Sequence, residues 1–223
     1  MFSNSTSFLR CGLLNLNHAQ AASAQLEQDL INRDIEVICV TEPYVTNGHV
    51  AGISTKYLKI YKEGNPRVVT LINPNYNFVP ILVSRDIIAV NIDVNSVNIL
   101  CINVYCSPSE DLEPSLVTLD GILNNYQDNL IVINGDFNAK IPAWGLTRSD
   151  SRGLELLNFV LRHDLDIRNY IDSPPTFESI RGKSWIDLTI AKNFRREQIV
   201  DWRVLQEITT SDHNMIIFNI VKK

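Results

Sequence analysis

In Asp86-Ile-Ile-Ala-Val-Asn-Ile-Asp-Val-Asn-Ser-Val-Asn-Ile-Leu-Cys-Ile-Asn-Val104, two apolar, β-branched runs meet at Asn95-Ser96. This is the pattern of two antiparallel strands joined by a tight hairpin. Upstream, the apolar runs 9–14 and 35–40 enclose a helical pattern in which Ala19, Ala22, Leu26 and Leu30 share a face, with Asn17 and Gln20 placed like a capping box. Strand, helix and strand in that order predict a parallel crossover. The two kinds of pairing together predict a mixed α/β fold.

Further short runs bounded by Asn, Pro, Gly or Asp predict strands at 68–72, 130–133, 186–190 and 215–221. A second helix has Pro114 in its first turn and Leu116, Leu119, Leu123 and Tyr126 on one side. A third follows Ser151, with Leu154, Leu157 and Leu161 as its stripe. Three helices among eight or more strands favour two sheets packed on each other with helices outside, rather than one sheet covered on both faces. No repeat or linker interrupts the 223 residues, so one domain spanning 1–223 is expected.

Of these residues, 45% are hydrophobic and 20% charged, the balance of a soluble globular chain. No run approaches the roughly 18–20 apolar residues of a membrane span, which excludes a helical membrane protein. The first ten residues lack the basic and apolar segments of a secretion signal, so an intracellular location is expected. Cys11, Cys39, Cys101 and Cys106 sit in or beside strand-like runs without zinc-site spacing and read as reduced and structural. A net charge of −5 argues against a broad basic nucleic-acid surface. It leaves open an enzyme that meets phosphate through a cation held by carboxylates.

Polar residues ending apolar strands are where a rigid sheet presents side chains to a cleft. Such ends carry Asn15, Glu42, Tyr105, the run Gly135-Asp136-Phe137-Asn138, and Ser211-Asp212-His213. Asp136 and Asn138, two residues apart, point to one side if the strand geometry continues, although Gly-Asp alone reads equally well as an ordinary turn. Glu42 alone reads as a surface carboxylate. Asp187 lies in a strand, where a carboxylate needs a partner. His213 beside such a carboxylate could be held in one tautomer and in its charged form, suited to an anionic transition state. His18, His49 and His163 read as solvated or capping residues.

Taken in order, Asn15, Glu42, Tyr105, Asp136, Asn138, Asp187, Asp212 and His213 resemble the endonuclease/exonuclease/phosphatase superfamily, which includes abasic-site endonucleases and DNase I. The resemblance covers the whole chain and rests most on Gly135-Asp-Phe-Asn138, Ile186-Asp187 and Ser211-Asp-His213. It implies a four-layer α/β sandwich of the DNase I type, two packed mixed sheets flanked by helices. A finer resemblance, to the endonuclease domains of non-LTR retrotransposons of arthropod type, rests on Asn138-Ala-Lys-Ile-Pro-Ala-Trp-Gly145, Asp150-Ser-Arg-Gly153, Pro175-Thr-Phe177 and Ile180-Arg-Gly-Lys183. Within it, Trp144 reads as a core anchor and Arg152 as a helix-cap charge. The chain departs from abasic endonucleases at Tyr105-Cys-Ser-Pro-Ser109, where they carry Pro-Asn after the tyrosine. Asn17 stands where some relatives have an aspartate near the metal.

The resemblance implies metal-dependent hydrolysis of a DNA phosphodiester that leaves a nick with a 3′-hydroxyl, as in target-site cleavage for retrotransposition. Glu42 is then the main metal ligand, with Asn15 nearby, and their all-oxygen character favours Mg2+, or Mn2+, over zinc. Asp136 becomes the general base and Asn138 orients water or phosphate. His213, held by Asp187, and Tyr105 donate to the phosphate, while Asp212 supports the metal side or the histidine. Arg181 and Lys183 lie within reach of DNA phosphate. The partners implied are DNA and a reverse transcriptase domain in a longer polyprotein, with the nucleus as the place of action. Two alternatives stay open: a phosphatase of the same superfamily, and a domesticated module that binds nucleic acid without cleaving it.

Overall fold

The computed structural model describes residues 7–53, 56–206 and 210–222. The first six residues, part of the stretch read for a secretion signal, lie outside them. In chain order the elements are β1 (Ser7–Asn15), α1 (Gln20–Asn32), β2 (Val37–Thr41), β3 (Val45–Thr46), β4 (His49–Val50), β5 (Leu58–Ile60) and β6 (Val68–Ile72). There follow β7 (Phe78–Val83), β8 (Ile87–Val94), β9 (Val97–Tyr105), α2 (Glu113–Asn125), β10 (Leu130–Asp136), α3 (Ser151–Arg162) and β11 (Asp166–Ile167). The chain continues through β12 (Phe177–Ser179), β13 (Gly182–Ser184), β14 (Asp187–Lys192), a 3-10 turn (Arg196–Gln198), β15 (Ile199–Val204) and β16 (Ile216–Lys222).

Two six-stranded sheets result, ordered β15-β16-β1-β2-β6-β5 and β11-β14-β10-β9-β8-β7. Both are mixed: β1 runs parallel to β2 and antiparallel to β16, and β10 runs parallel to β9 and antiparallel to β14. The β8–β9 hairpin closes at Asn95 and Ser96, both left-handed (φ 53° and 67°), as a two-residue turn between twisted strands requires.

Alternation along the strands sorts the core into three slabs. Leu9, Cys11 and Leu13 of β1 meet Val90, Cys101 and Val132 between the sheets. Leu14 and Ile38 face Leu26 and Leu30 of α1, and Ile131 and Ile133 face Leu119 and Phe159 of α2 and α3. The layers are therefore helix, sheet, sheet and helices, the four-layer sandwich expected. All four cysteines are buried, and none is in a disulfide. No helix among the described residues is long and apolar enough to cross a membrane.

Local expectations failed at two helices. At α1 the capping box is absent: Ala19 occupies the N-cap position without a side-chain cap, and Asn17 donates its amide back to Oδ1 of Asn15 at 2.7 Å. At α3 the inward face is Gly153, Leu156, Phe159 and Val160, while Leu154 and Leu161 are exposed. Gly153 sets that face, since a Cβ there would lie 2.1 Å from the Lys140 carbonyl oxygen. Only the glycine side of the helix can approach so closely. Arg152 is likewise no cap. Asp150 caps α3 by accepting from the Gly153 amide at 2.6 Å, while the Arg152 guanidinium donates to the carbonyls of Asn138, Glu110, Cys106 and Phe137. Trp144 is fully buried, as expected of a core anchor.

Candidate active site

Register assembles the site. Tyr105 of β9, Asp136 of β10 and Asp187 of β14 are direct cross-strand partners, Asp136 pairing with both others. Each continues the alternation that points Cys101, Val132 and Ala191 of the same strands between the sheets. Asn15 continues Cys11 and Leu13 from the facing sheet. One end of the intersheet space is therefore polar. Strands β9 and β10 can pack closely there because residue 135 is glycine: a Cβ would stand 2.2 Å from the Val104 carbonyl oxygen.

Asn15 bridges the sheets, its Nδ2 donating to Glu42 Oε2 at 2.9 Å and to Asp136 Oδ2 at 3.0 Å. Its Oδ1, the atom a cation would take, accepts one hydrogen bond, from the Asn17 amide, and keeps a second lone pair. Asn15 also links the two carboxylates. Glu42 also accepts from the Tyr105 hydroxyl at 2.6 Å on Oε1. Glu42 and Asn138 both adopt left-handed backbone (φ 45° and 48°), a conformation that for glutamate is held only against strain. Hydrogen bonds from the Glu42 amide to the Arg67 carbonyl and from the His18 amide to the Glu42 carbonyl hold that turn.

On the other side, Asp187 Oδ2 lies 2.9 Å from Nδ1 of His213, and both residues are buried. Asp187 Oδ1 is buried without a hydrogen-bond partner. Burial alone would lower the His213 pKa; the charge and hydrogen bond of Asp187, with Asp136 and Glu42 beyond, outweigh it and raise it to about 9. Asp136 is pushed up to about 7 by burial and then by Asp187, against the pull of His213, the Asn138 amide and Asn15. Burial and its bond to Glu42 raise Tyr105, which keeps its hydroxyl a donor.

Asp136, Asp187 and His213 each bring one ligand atom within 4.8 Å of the others. Three carboxylates, Glu42, Asp136 and Asp187, crowd around one buried imidazole. The orphaned Asp187 oxygen and the raised Asp136 both mark a deficit of positive charge. A divalent cation fits such a donor set.

The remaining predicted residues lie at the rim. Asn138 donates from Nδ2 to the Cys106 carbonyl, and its amide donates to Asp136 Oδ1 at 3.0 Å. Asp212 is exposed, and its carbonyl accepts from the Glu178 amide. Lys183 pairs across the β12–β13 hairpin with Glu178 at 2.6 Å. Arg181 stands exposed at the tip beside a fully exposed Ile180.

Sequence reasoning missed three contributors. His18, read as solvated or capping, places Nε2 3.4 Å from Glu42 Oε1. Arg67 lies 5.1 Å from the Tyr105 ring centre and pairs with Asp86 and Glu110. Thr176, fully buried, accepts the Ile186 and Asp187 amides on its hydroxyl, while its carbonyl accepts from Asn214, tying the Asp187 strand to the His213 loop. Its position between prolines and a strand was a signal for that role; Arg67 and His18 carried none.

Comparison with known proteins agrees with this geometry. A family model described as endonuclease-reverse transcriptase matches residues 99–217, just over half of the chain. Among solved structures, the endonuclease domain of TRAS1, a telomere-specific non-LTR retrotransposon, is 26% identical with a TM-score of 0.83, covering 95% of this chain and 97% of that one. The AP endonuclease LMAP of Leishmania major (11% identity, TM-score 0.75, 100% and 90% covered) and the APE2 catalytic domain of Xenopus laevis (17%, 0.68, 96% and 91%) share the fold. A search of curated protein sequences returned no match. The chain belongs to the endonuclease-reverse transcriptase family, within the endonuclease/exonuclease/phosphatase superfamily.

Proposed function

We propose that the chain, as one domain over 1–223, is a divalent-cation-dependent endonuclease that nicks duplex DNA and leaves a 3′-hydroxyl. The observation that carries this reading is the convergence of Glu42, Asn15 and Tyr105 with Asp136, Asp187 and His213 at one end of the sandwich. Glu42 would hold Mg2+ or Mn2+, with Asn15 beside it and the Asp136 carboxylate within reach of the same cation. The bound cation supplies neutralisation of charge on the phosphate and on the departing 3′-oxygen.

The chain's own groups do the rest. Asp136, with both oxygens fixed by the Asn138 amide and Asn15, accepts the proton of the attacking water, and a proton affinity near pH 7 suits a base working near neutrality. His213, anchored through Nδ1, offers Nε2 to a phosphate oxygen as an imidazolium. Tyr105 turns its hydroxyl into the same space, and Asn138 lines the water's approach. The exposed Asp212 adds a carboxylate beside His213, at the metal side or against the histidine. The hairpin bearing Arg181 and Lys183 contacts DNA phosphate outside the cleft.

The TRAS1 likeness supports a place in a longer polyprotein with a reverse transcriptase, acting in the nucleus on chromosomal DNA. The test is conversion of supercoiled plasmid to the nicked form in Mg2+ or Mn2+, abolished by chelator and weakened in metal dependence by Glu42→Ala, with the nick extendable by a polymerase. Nicking undiminished in chelator refutes the metal role. Release of phosphate from inositol phosphates without nicking moves the chain to the phosphatases.

A further inference from the structure

The sandwich is left open along one side, where the edge strands β11 and β15 of the two sheets do not meet. A cleft of about 350 Å³ occupies this edge, lined by Asp166, Arg168, Tyr170, Arg196, Ile199 and Trp202. Trp202 reaches it through a bulge: the β15–β16 register shifts between Val200 and Arg203, and Asp201 between them is left-handed (φ 55°). Such bulges re-aim a side chain.

The lining is unusual in its unspent donors. Trp202 is 5% exposed, yet its Nε1 has no hydrogen-bond partner in the protein. The Arg168 side chain is 9% exposed; its Nη2 meets Asp166 at 3.1 Å and the Phe194 carbonyl at 3.4 Å, but its Nε is unpartnered. Buried N–H groups are nearly always satisfied, so two orphaned donors just beneath one cleft mark a wall whose side chains must shift to reach an acceptor entering it. Charge adds a sign. Two guanidinium groups, Arg168 and Arg196, face a single carboxylate, Asp166, itself largely exposed. Tyr170 adds a planar face: more than half exposed, it stands edge-on to Trp202 with ring centres 5.6 Å apart.

From these features we infer that the edge cleft binds one nucleotide unit, its phosphate on Arg168 and Arg196 and its base against Tyr170, either as a free mononucleotide or within a single strand. An anion alone would leave the aromatic wall unused, and a neutral ring would leave the arginines unmatched. The volume lies at the low end of the roughly 300–1,000 Å³ of small-molecule pockets, room for one nucleotide. Aromatic and arginine side chains are the usual platform for unpaired bases. The cleft shares no lining residue with the site that holds Asp136. Asn169, at the floor, is already committed to the Asp187 carbonyl and the Thr189 amide.

The test uses the whole chain in chelator, so that no strand is cut and the outcome is independent of the cleavage reading. Nitrogen–proton spectra resolve the indole N–H groups of the three tryptophans. Trp144 and Trp185 donate to the Ala139 and Ser173 carbonyls, whereas Trp202 lines the cleft beside Tyr170 with its Nε1 unpartnered in the protein. Adenosine monophosphate or a single-stranded DNA hexamer should shift the Trp202 signal and leave the other two in place. The exposed-site variants Tyr170→Ala and Arg196→Ala should each weaken binding about tenfold. A hexamer at least tenfold tighter than the mononucleotide assigns the strand as the source; equal affinity assigns the free nucleotide. No shift with either, the same shift at the same affinity with inorganic phosphate, or binding unchanged in both variants overturns the inference.

Discussion

Replacing Asp187 with asparagine removes one charge from a buried pair and keeps its shape. In the parent, His213 titrates near 9 instead of near 6.5, and that displacement is worth about 3 kcal/mol in favour of the imidazolium. Burial acts in the opposite direction, so without Asp187 the imidazole should titrate near 6.5 or below. At pH 8 the protonated fraction then falls about thirtyfold, whereas at pH 6 it falls less than about twofold. Two measurements follow. The His213 ring signals, assigned with His213→Gln and followed by NMR in chelator, should give a midpoint at least two pH units lower in Asp187→Asn. The nicking deficit of the variant should be about thirtyfold or more at pH 8 and much smaller at pH 6. A midpoint remaining above 8, or a deficit equal at both pH values, refutes the assignment of Asp187 as the group that keeps His213 charged.

The other expectations concern the same buried groups and the hairpin. Asp136→Asn and His213→Ala should each lower the nicking rate at least about a hundredfold; His213→Ala, which leaves the buried Asp187 carboxylate unpaired, should also melt several degrees lower, so rates are compared below both melting transitions, and near-normal rates there would remove these residues from the mechanism. Asp136 and His213 both have folded pKa values above their ordinary ones, so the folded state holds more protons than the unfolded chain, and their contribution to stability declines as pH rises. For Asp136 the loss runs from about pH 4 to about 7, and for His213 from about 6.5 to about 9. Melting in chelator should therefore be lower at pH 9 than at pH 6, with the gap narrowed by Mg2+; a melting temperature higher at pH 9 would contradict both shifts. Arg181→Ala should weaken DNA binding on all sequences and reduce the salt slope by about one, and removing residues 180–181 should redistribute nick positions on a long duplex. An identical cleavage map would exclude the hairpin from target choice.

Why the candidate site residues could be found in sequence, and their neighbours could not, has one physical root. Asn15, Tyr105 and Asp136 are polar side chains placed where an alternating strand runs out, and alternation is a local property of the chain. Strands β9 and β10 pair side by side and β1 lies in the facing sheet with its end over theirs, so ends that look alike in sequence meet in space. His18 and Arg67 reach the site through the pairing of strands far apart in sequence: Arg67 meets Glu42 only because β6 pairs with β2. No local pattern encodes that. The α3 error has the same origin. Two apolar stripes run along this helix about one residue apart, and hydrophobicity alone does not choose between Leu154-Leu157-Leu161 and Leu156-Phe159-Val160. The choice is made by Gly153 against the Lys140 carbonyl, a backbone contact with the loop that follows Asp136. That loop is also where Arg152 gathers the Phe137 and Asn138 carbonyls. The face of α3 and the position of the Asp136–Asn138 turn are therefore fixed by one packing event. A substitution at Gly153 should disturb the candidate active site through the backbone, although it touches none of the site's side chains.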